Sequence, residues 1–212
     1  MNVFNKLFDK VFLITTDLPN ERYSYISKHL NDMDLKYDLR VSVNSDMFKD
    51  IFWENCYIQS GAQSLSSHYM TLCMESVYKK YETIVIIEDD IKFIDDFQKL
   101  FLEFYNELPS DWDIIHLGDY TNDEHITKKQ ISDNVDQIFK KYTTPLMILK
   151  NNNDNFLKYA DKIRSSKYPI DYVFCHFYDS HVKCYSPHKS LTEQLSYRDG
   201  EKPKKFKSKI SR

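Results

Sequence analysis

Short runs of branched apolar residues alternate along this chain with longer stretches whose apolar residues recur every three or four positions. The runs read as strands buried on both faces, and the periodic stretches read as helices that cover them. "VFLIT" at 11–15 is the first run, and Pro19 then opens a helix with Tyr23, Ile26 and Leu30 on one side. "YDLRVSV" alternates Leu39, Val41 and Val43 as a second strand would. A longer helix over about 63–80 is predicted from the stripe Leu65, Tyr69, Leu72, Cys73, Ser76 and Val77. Ile84 to Ile87 form the next strand, and Phe97, Leu100, Phe101, Phe104, Tyr105 and Leu108 form one face of a helix stopped by Pro109. "WDIIHLG" at 112–118 is a short strand closed by glycine, whereas 119–141 is polar, lysine-rich and aperiodic and reads as an excursion or mobile loop. "PLMIL" returns to strand. Asn153 or Asp154 then caps a helix through Phe156, Leu157, Ala160 and Ile163, "IDYVFCHFYDSH" reads as a helix, and "VKCYS" as the last strand. Strands alternating with helices predict one α/β domain over 1–200, with a mixed, mostly parallel sheet flanked by helices.

Composition narrows the chemistry. Three glycines, at 61, 118 and 200, cannot build a glycine-rich phosphate loop, so a nucleotide must be held another way. Cys56, Cys73, Cys175 and Cys184 show neither a C-x-x-C pair nor zinc-finger histidine spacing, which predicts free thiols and a reducing compartment. Polar residues interrupt the first apolar ones, and no stretch approaches the roughly twenty apolar residues of a membrane helix. The expected location is cytoplasmic, or inside the host cell if the source is viral. The chain carries a net charge of −3, but its last twelve residues hold six Lys or Arg against one Glu, leaving −8 on residues 1–200. The tail 201–212 reads either as a solvated, flexible end or as a peripheral contact to anionic lipid or nucleic acid, with Phe206 as an apolar anchor.

The strand at 84–87 runs straight into Glu88, Asp89 and Asp90. In open α/β sheets the carboxyl edge is where ligands bind. On an extended backbone Glu88 and Asp90 point to one face and Asp89 to the other. Two carboxylates about 6 Å apart repel by about 2.8 kcal/mol at an effective dielectric near 20, so either one keeps its proton or a cation sits between them. Oxygen-only ligands favour Mn²⁺ or Mg²⁺, which also take substrate phosphate oxygens. The bland alternative is that the acids cap a helix or solvate a loop; Asp95 and Asp96, just before Phe97, suit that role. A phosphorelay receiver pocket is disfavoured, because the acids come late in the chain and the next clear strand ends in His116, Leu117 and Gly118 where an Asp would be needed.

The ordered series of short motifs resembles the family 25 glycosyltransferases, the group of lipooligosaccharide and collagen galactosyltransferases. "VFLITTDLPNERYSYISKHL" resembles their opening strand and turn, "GAQSLSSHYMTLCMES" their Gly-and-Ser-His segment, and "IVIIEDDIKF" their acidic motif. "DWDIIHLG", "YPID" and "CYSPHKSLTEQLSY" are similar to the later ones. The resemblance implies a GT-A fold with a C-terminal acceptor-binding portion, and Mn²⁺- or Mg²⁺-dependent, inverting transfer of galactose or glucose from a UDP-sugar. The acceptor would be a hydroxyl of a glycan, glycolipid or protein. It further implies Asp90 as metal ligand with Glu88 and His188, and Asp171 as the base. Thr15, Thr16, Arg22, Ser67, His68, Glu88, Asp89, Gln194 and Ser196 would line the donor site. Residue by residue, Arg22 also fits a solvated helix surface, His68 a satisfied core histidine, and His176 and His181 structural positions. The chain departs from the family pattern: "GAQSLSSH" lacks the second glycine and the cysteine, and Leu18 to Asn20 replace a basic pair. These departures admit a catalytically inactive, nucleotide- or glycan-binding relative. A different Mg²⁺-dependent phosphate-transfer or hydrolytic enzyme is the third reading.

Overall fold

The computed structural model describes residues 2–15, 18, 20–41, 60–118, 127–140, 145–166, 168, 170–175, 182–196 and 204–205. In chain order its strands are β1 (Lys10–Thr15), β2 (Asp38–Val41), β3 (Thr83–Glu88), β4 (Ile91–Phe93), β5 (Ile114–His116) and β6 (Thr127–Gln130). They continue with β7 (Val135–Lys140), β8 (Leu146–Lys150), β9 (Cys184–Pro187), β10 (Thr192–Ser196) and β11 (Lys204–Lys205). The α-helices are α1 (Val3–Leu7), α2 (Glu21–Asp32), α3 (Ser60–Lys79), α4 (Phe97–Glu107), α5 (Asn155–Ser165) and α6 (Ile170–Cys175).

Eight strands form one sheet in the order β2-β1-β3-β8-β5-β9-β7-β6. The pairings make β7 and β8 antiparallel to their neighbours, so six of the eight strands point the same way. The sheet is therefore mixed and mostly co-directional, with a three-stranded antiparallel sheet, β11-β10-β4, at its carboxyl edge. β3 lies near the middle because its apolar run must be covered on both sides. Val85 and Ile87 enter one core with Phe4, Ile26, Leu30, Phe97, Phe101 and Phe104 of α1, α2 and α4. Ile84 and Ile86 enter the other with Tyr69, Leu72, Phe156, Tyr159 and Phe174 of α3, α5 and α6.

The first core is built on aromatic edges: Phe4 lies 4.8 Å from Phe101 and 5.4 Å from Phe97, centroid to centroid, both T-shaped. Such pairs add to area burial through their quadrupoles. Cys73 and Cys184 are free and buried, as the spacing predicts, and burial pushes the Cys73 thiol up to about 12.

Several expectations are corrected. The stretch 119–141 contains a hairpin, β6 and β7, added to the sheet edge; all four residues of β6, "TKKQ", are exposed. Edge strands are commonly lysine-rich because charge blocks further pairing, and that same charge disguises them as loop. Asn20, with a side chain that accepts from the Tyr23 amide, caps α2. Asp154 occupies the α5 cap position, as expected, but makes no side-chain cap bond; Asn151 instead accepts from the Phe156 amide, and Asn153 and Asp154 adopt positive φ in the turn. Asp96 occupies the α4 cap position but makes no side-chain cap bond. Within the tail, Lys204 and Lys205 form β11 against β10. Val43, Pro19, His176, His181, Cys56 and Phe206 lie outside the described residues. Among the described residues no helix is long and apolar enough to cross a membrane.

Phe101 is fully buried and touches Phe4, Phe8, Phe97, Phe104 and Tyr105. Phe101→Ala should therefore cost about 3–5 kcal/mol in urea unfolding; a loss below about 1 kcal/mol would contradict this packing.

Candidate functional site

The parallel register sets Ile14 beside Glu88, so the next residues, Thr15 and Asp89, meet at the carboxyl ends of β1 and β3. The Thr15 hydroxyl donates to Asp89 Oδ2 at 2.6 Å, and Asn20 Nδ2 donates to Thr15 Oγ1 at 3.0 Å. Asn20 thus does two things: its oxygen caps α2 and its nitrogen fixes the Thr15 hydroxyl toward the acid. In the first turn of α2, Arg22 Nη1 stands 3.7 Å from Asp89 Oδ1, with its side chain 36% exposed. Asp89 is buried at 4% exposure, and these contacts offset the cost of its charge.

β3 ends at Glu88, and Asp89 and Asp90 form the turn into β4. The alternation expected of an extended E-x-D segment is therefore lost. Glu88 Oε1 accepts from the Tyr69 hydroxyl of α3 at 3.2 Å, whereas Asp90 faces β10. There Gln194 Nε2 donates to Asp90 Oδ2 at 3.0 Å and the Leu195 amide donates to the Asp90 carbonyl at 2.6 Å. Asp90 Oδ1 is buried and has no hydrogen-bond partner among the described residues. Asp90 as a residue is only partly buried, but the enclosure of its carboxylate sets its acidity. Burial pushes it up to about 6, with the Asp89 charge adding to the rise and the Gln194 hydrogen bond and Arg22 opposing it. The repelling pair is thus Asp89 with Asp90.

The other expected site residues divide. Ser67 is buried in α3 and spends its hydroxyl on the Gln63 carbonyl at 3.0 Å. His68 is half-buried, and burial together with the Arg40 charge lowers its pKa and favours the neutral ring. Asp171 lies in the first turn of α6, and Ser196 on β10 pairs with Lys204; their side chains are not described. Thr16 lies outside the described residues. His188 is not with the acids: β9 lies three strands from β3, about 14 Å at the usual strand spacing, and its Nδ1 stands 3.1 Å from Asp136 Oδ1. Grouping His188 with Glu88 and Asp90 on one ion is corrected on that ground. Among the described residues no three His, Cys, Asp or Glu side chains gather to hold a metal.

Two contributors escape a pattern reading. Tyr69 counts as core stripe, yet its hydroxyl reaches Glu88, and Asn20 shows only its helix-capping residue type. Asp113 of "WDIIHLG" is structural, accepting from Asn152 Nδ2, Asn155 Nδ2 and the Lys183 amide at 2.8–2.9 Å. It lines a depression of about 900 Å³ at the opposite edge of the sheet, which none of the expected site residues line.

No protein-family model matches the chain, and no curated protein is significantly similar to it. Among solved structures it is similar to A197 from STIV, at 14% identity and TM-score 0.43, over 96% of this chain and 97% of that one. A glycosyltransferase involved in glycosylation of the major capsid of PBCV-1 matches at 7% identity and TM-score 0.38, over 70% and 63% of the two chains. Mouse xyloside xylosyltransferase 1 matches at 12% identity and TM-score 0.37, over 82% and 83%. At TM-scores below 0.5 these likenesses assign no activity, donor or acceptor; the mixed α/β architecture stands on the strand order and packing above.

The native pKa of Asp90 lies above its ordinary 3.8, so the folded state binds that proton more tightly than the unfolded chain. Its contribution to stability is full below about pH 4 and lost as pH rises through about 6, a change of about 3 kcal/mol. In EDTA, urea melts of wild type should weaken across that window while Asp90→Asn stays flat; parallel profiles would refute the assignment.

Proposed function

We propose that the chain is a divalent-cation-dependent glycosyltransferase that moves a hexose from a nucleoside-diphosphate sugar to an acceptor hydroxyl. The observation that carries the reading is the buried, unpartnered Asp90 Oδ1 beside Asp89 at the carboxyl edge of the sheet. Such an oxygen asks for a proton or a cation. The donor set fits Mn²⁺ or Mg²⁺: it is oxygen-only, and two carboxylates suffice where substrate phosphates and water complete the shell. Asp90 and Asp89 would hold the ion. When bound, it neutralises charge on the departing nucleotide diphosphate.

The remaining roles belong to the chain itself. Thr15 and Asn20 fix the Asp89 carboxylate, and Gln194 fixes Asp90. Arg22, one-third exposed beside Asp89, is suited to pair with a phosphate oxygen. Asp171 is the base we assign to the acceptor: it takes the hydroxyl proton as that oxygen bonds to the anomeric carbon and the bond from that carbon to the diphosphate breaks. Phe174, in the same helix as Asp171, lies 5.9 Å from Tyr69, which itself reaches Glu88, and this packing supports the assignment. The choice of UDP-galactose or UDP-glucose and of an inverting course follows from the sequence resemblance to family 25.

A thermal-shift titration tests the reading. UDP with Mn²⁺ at about a hundred times its dissociation constant should raise the melt by roughly 5–10 °C, with EDTA or Asp90→Ala abolishing the shift. If neither UDP, GDP nor CDP shifts the melt and EDTA changes nothing, the acids are structural. A shift without transfer of any sugar would identify an inactive, nucleotide-binding relative.

A further inference from the structure

His188 has a histidine–carboxylate geometry that the donor site leaves unused. It follows β9 as Asp89 follows β3, and β9 and β3 point the same way, so both residues stand on one edge of the sheet. Its Nδ1 lies 3.1 and 3.3 Å from the two oxygens of Asp136 on β7. Asp136 is 1% exposed, and its pKa is lowered: hydrogen bonds from Lys128 and His188 and their charges outweigh the burial that would raise it. Lys128 Nζ of β6 holds the second oxygen at 2.9 Å. In the neutral form of the ring the Nδ1–H donates to that ionised carboxylate, and the lone pair then lies on Nε2.

That ring is also held through its backbone. The His188 amide donates to the Asn134 carbonyl at 2.9 Å, and Asn134 is held by Glu107 at the end of α4, at 2.6 Å from its side chain and 3.2 Å from its amide. The His188 side chain is nevertheless 42% exposed. From it the chain crosses the edge: Leu191 bonds Leu117, Thr192 bridges Gly118, and Gln194 reaches Asp90. One six-residue step thus links the proposed diphosphate end of the edge to a fixed imidazole about 14 Å away.

Resting on the glycosyltransferase reading, we propose that His188 is an acceptor-recognition residue: its Nε2 accepts a hydrogen bond from a hydroxyl of a polyhydroxylated acceptor lying over β9 and β7. Asp136 is the positioning residue that sets the tautomer. The span from Asp90 puts His188 beyond the reacting hydroxyl, so it acts on binding of the acceptor and leaves the chemical step to the other end.

The test is NMR of histidine-labelled protein saturated with UDP and Mg²⁺, titrated with the methyl glycosides of galactose, glucose and mannose. His188 should show the Nδ1–H tautomer, and at least one glycoside should move its Nε2 resonance. His188→Ala should weaken that glycoside about tenfold, the scale of one lost hydrogen bond, with UDP binding unchanged. Asp136→Asn should change the tautomer population. An Nε2–H tautomer in the wild type, or an unmoved His188 resonance with UDP bound, overturns the inference alone. Failure of UDP to bind overturns the transferase reading and this inference together.

Discussion

The site depends on the energetic cost of a carboxylate removed from water. β3 is apolar through Ile84–Ile87 and covered on both faces, so it delivers whatever follows it to a partly enclosed edge. Two adjacent acids delivered there cannot both ionise without compensation. Asp89 is compensated by Thr15 and Arg22, whereas Asp90 receives one amide hydrogen bond and, among the described residues, keeps one oxygen without a partner. This asymmetry distinguishes the turn from an ordinary solvated acidic loop. It also separates the two roles, since one carboxylate is fixed by the scaffold and the other is left with capacity for a ligand.

The same constraint accounts for the arrangement of the small sheet. β4 leaves the acidic turn and pairs with β10, which brings Gln194 to Asp90 from the far end of the chain. β10 in turn is tied to the end of β5 through Gly118 and Leu117. The edge is therefore spanned by one segment, 188–194, with a histidine–carboxylate pair at one end and the acid pair at the other. The basic tail begins on this small sheet, because Lys204 and Lys205 pair with β10, the strand that holds Asp90.

Much of this was legible in the sequence. Both-face burial of 84–87 follows from four branched residues in a row, and the helices α3, α4 and α5 follow from their apolar stripes. The position of the acids at the carboxyl edge of the sheet follows from strand polarity alone. What stayed hidden has physical causes. β6 and β7 carry the charge that protects a sheet edge, so they resemble a loop. α1 is too short for a period to appear. The strand stops at Glu88, two residues short of Asp90, so the alternation rule does not reach it. Gln194 lies 104 residues from Asp90, and His188 lies 52 from Asp136; no local pattern encodes such contacts.

The central claim is that Asp90 Oδ1 is a cation ligand, and the most direct measurement is anomalous diffraction at the manganese edge from crystals grown with UDP and Mn²⁺. If Asp90 holds the ion, one peak should lie within direct coordination distance of Asp90 Oδ1. UDP bound with no peak at that oxygen, or with manganese held elsewhere, would contradict it.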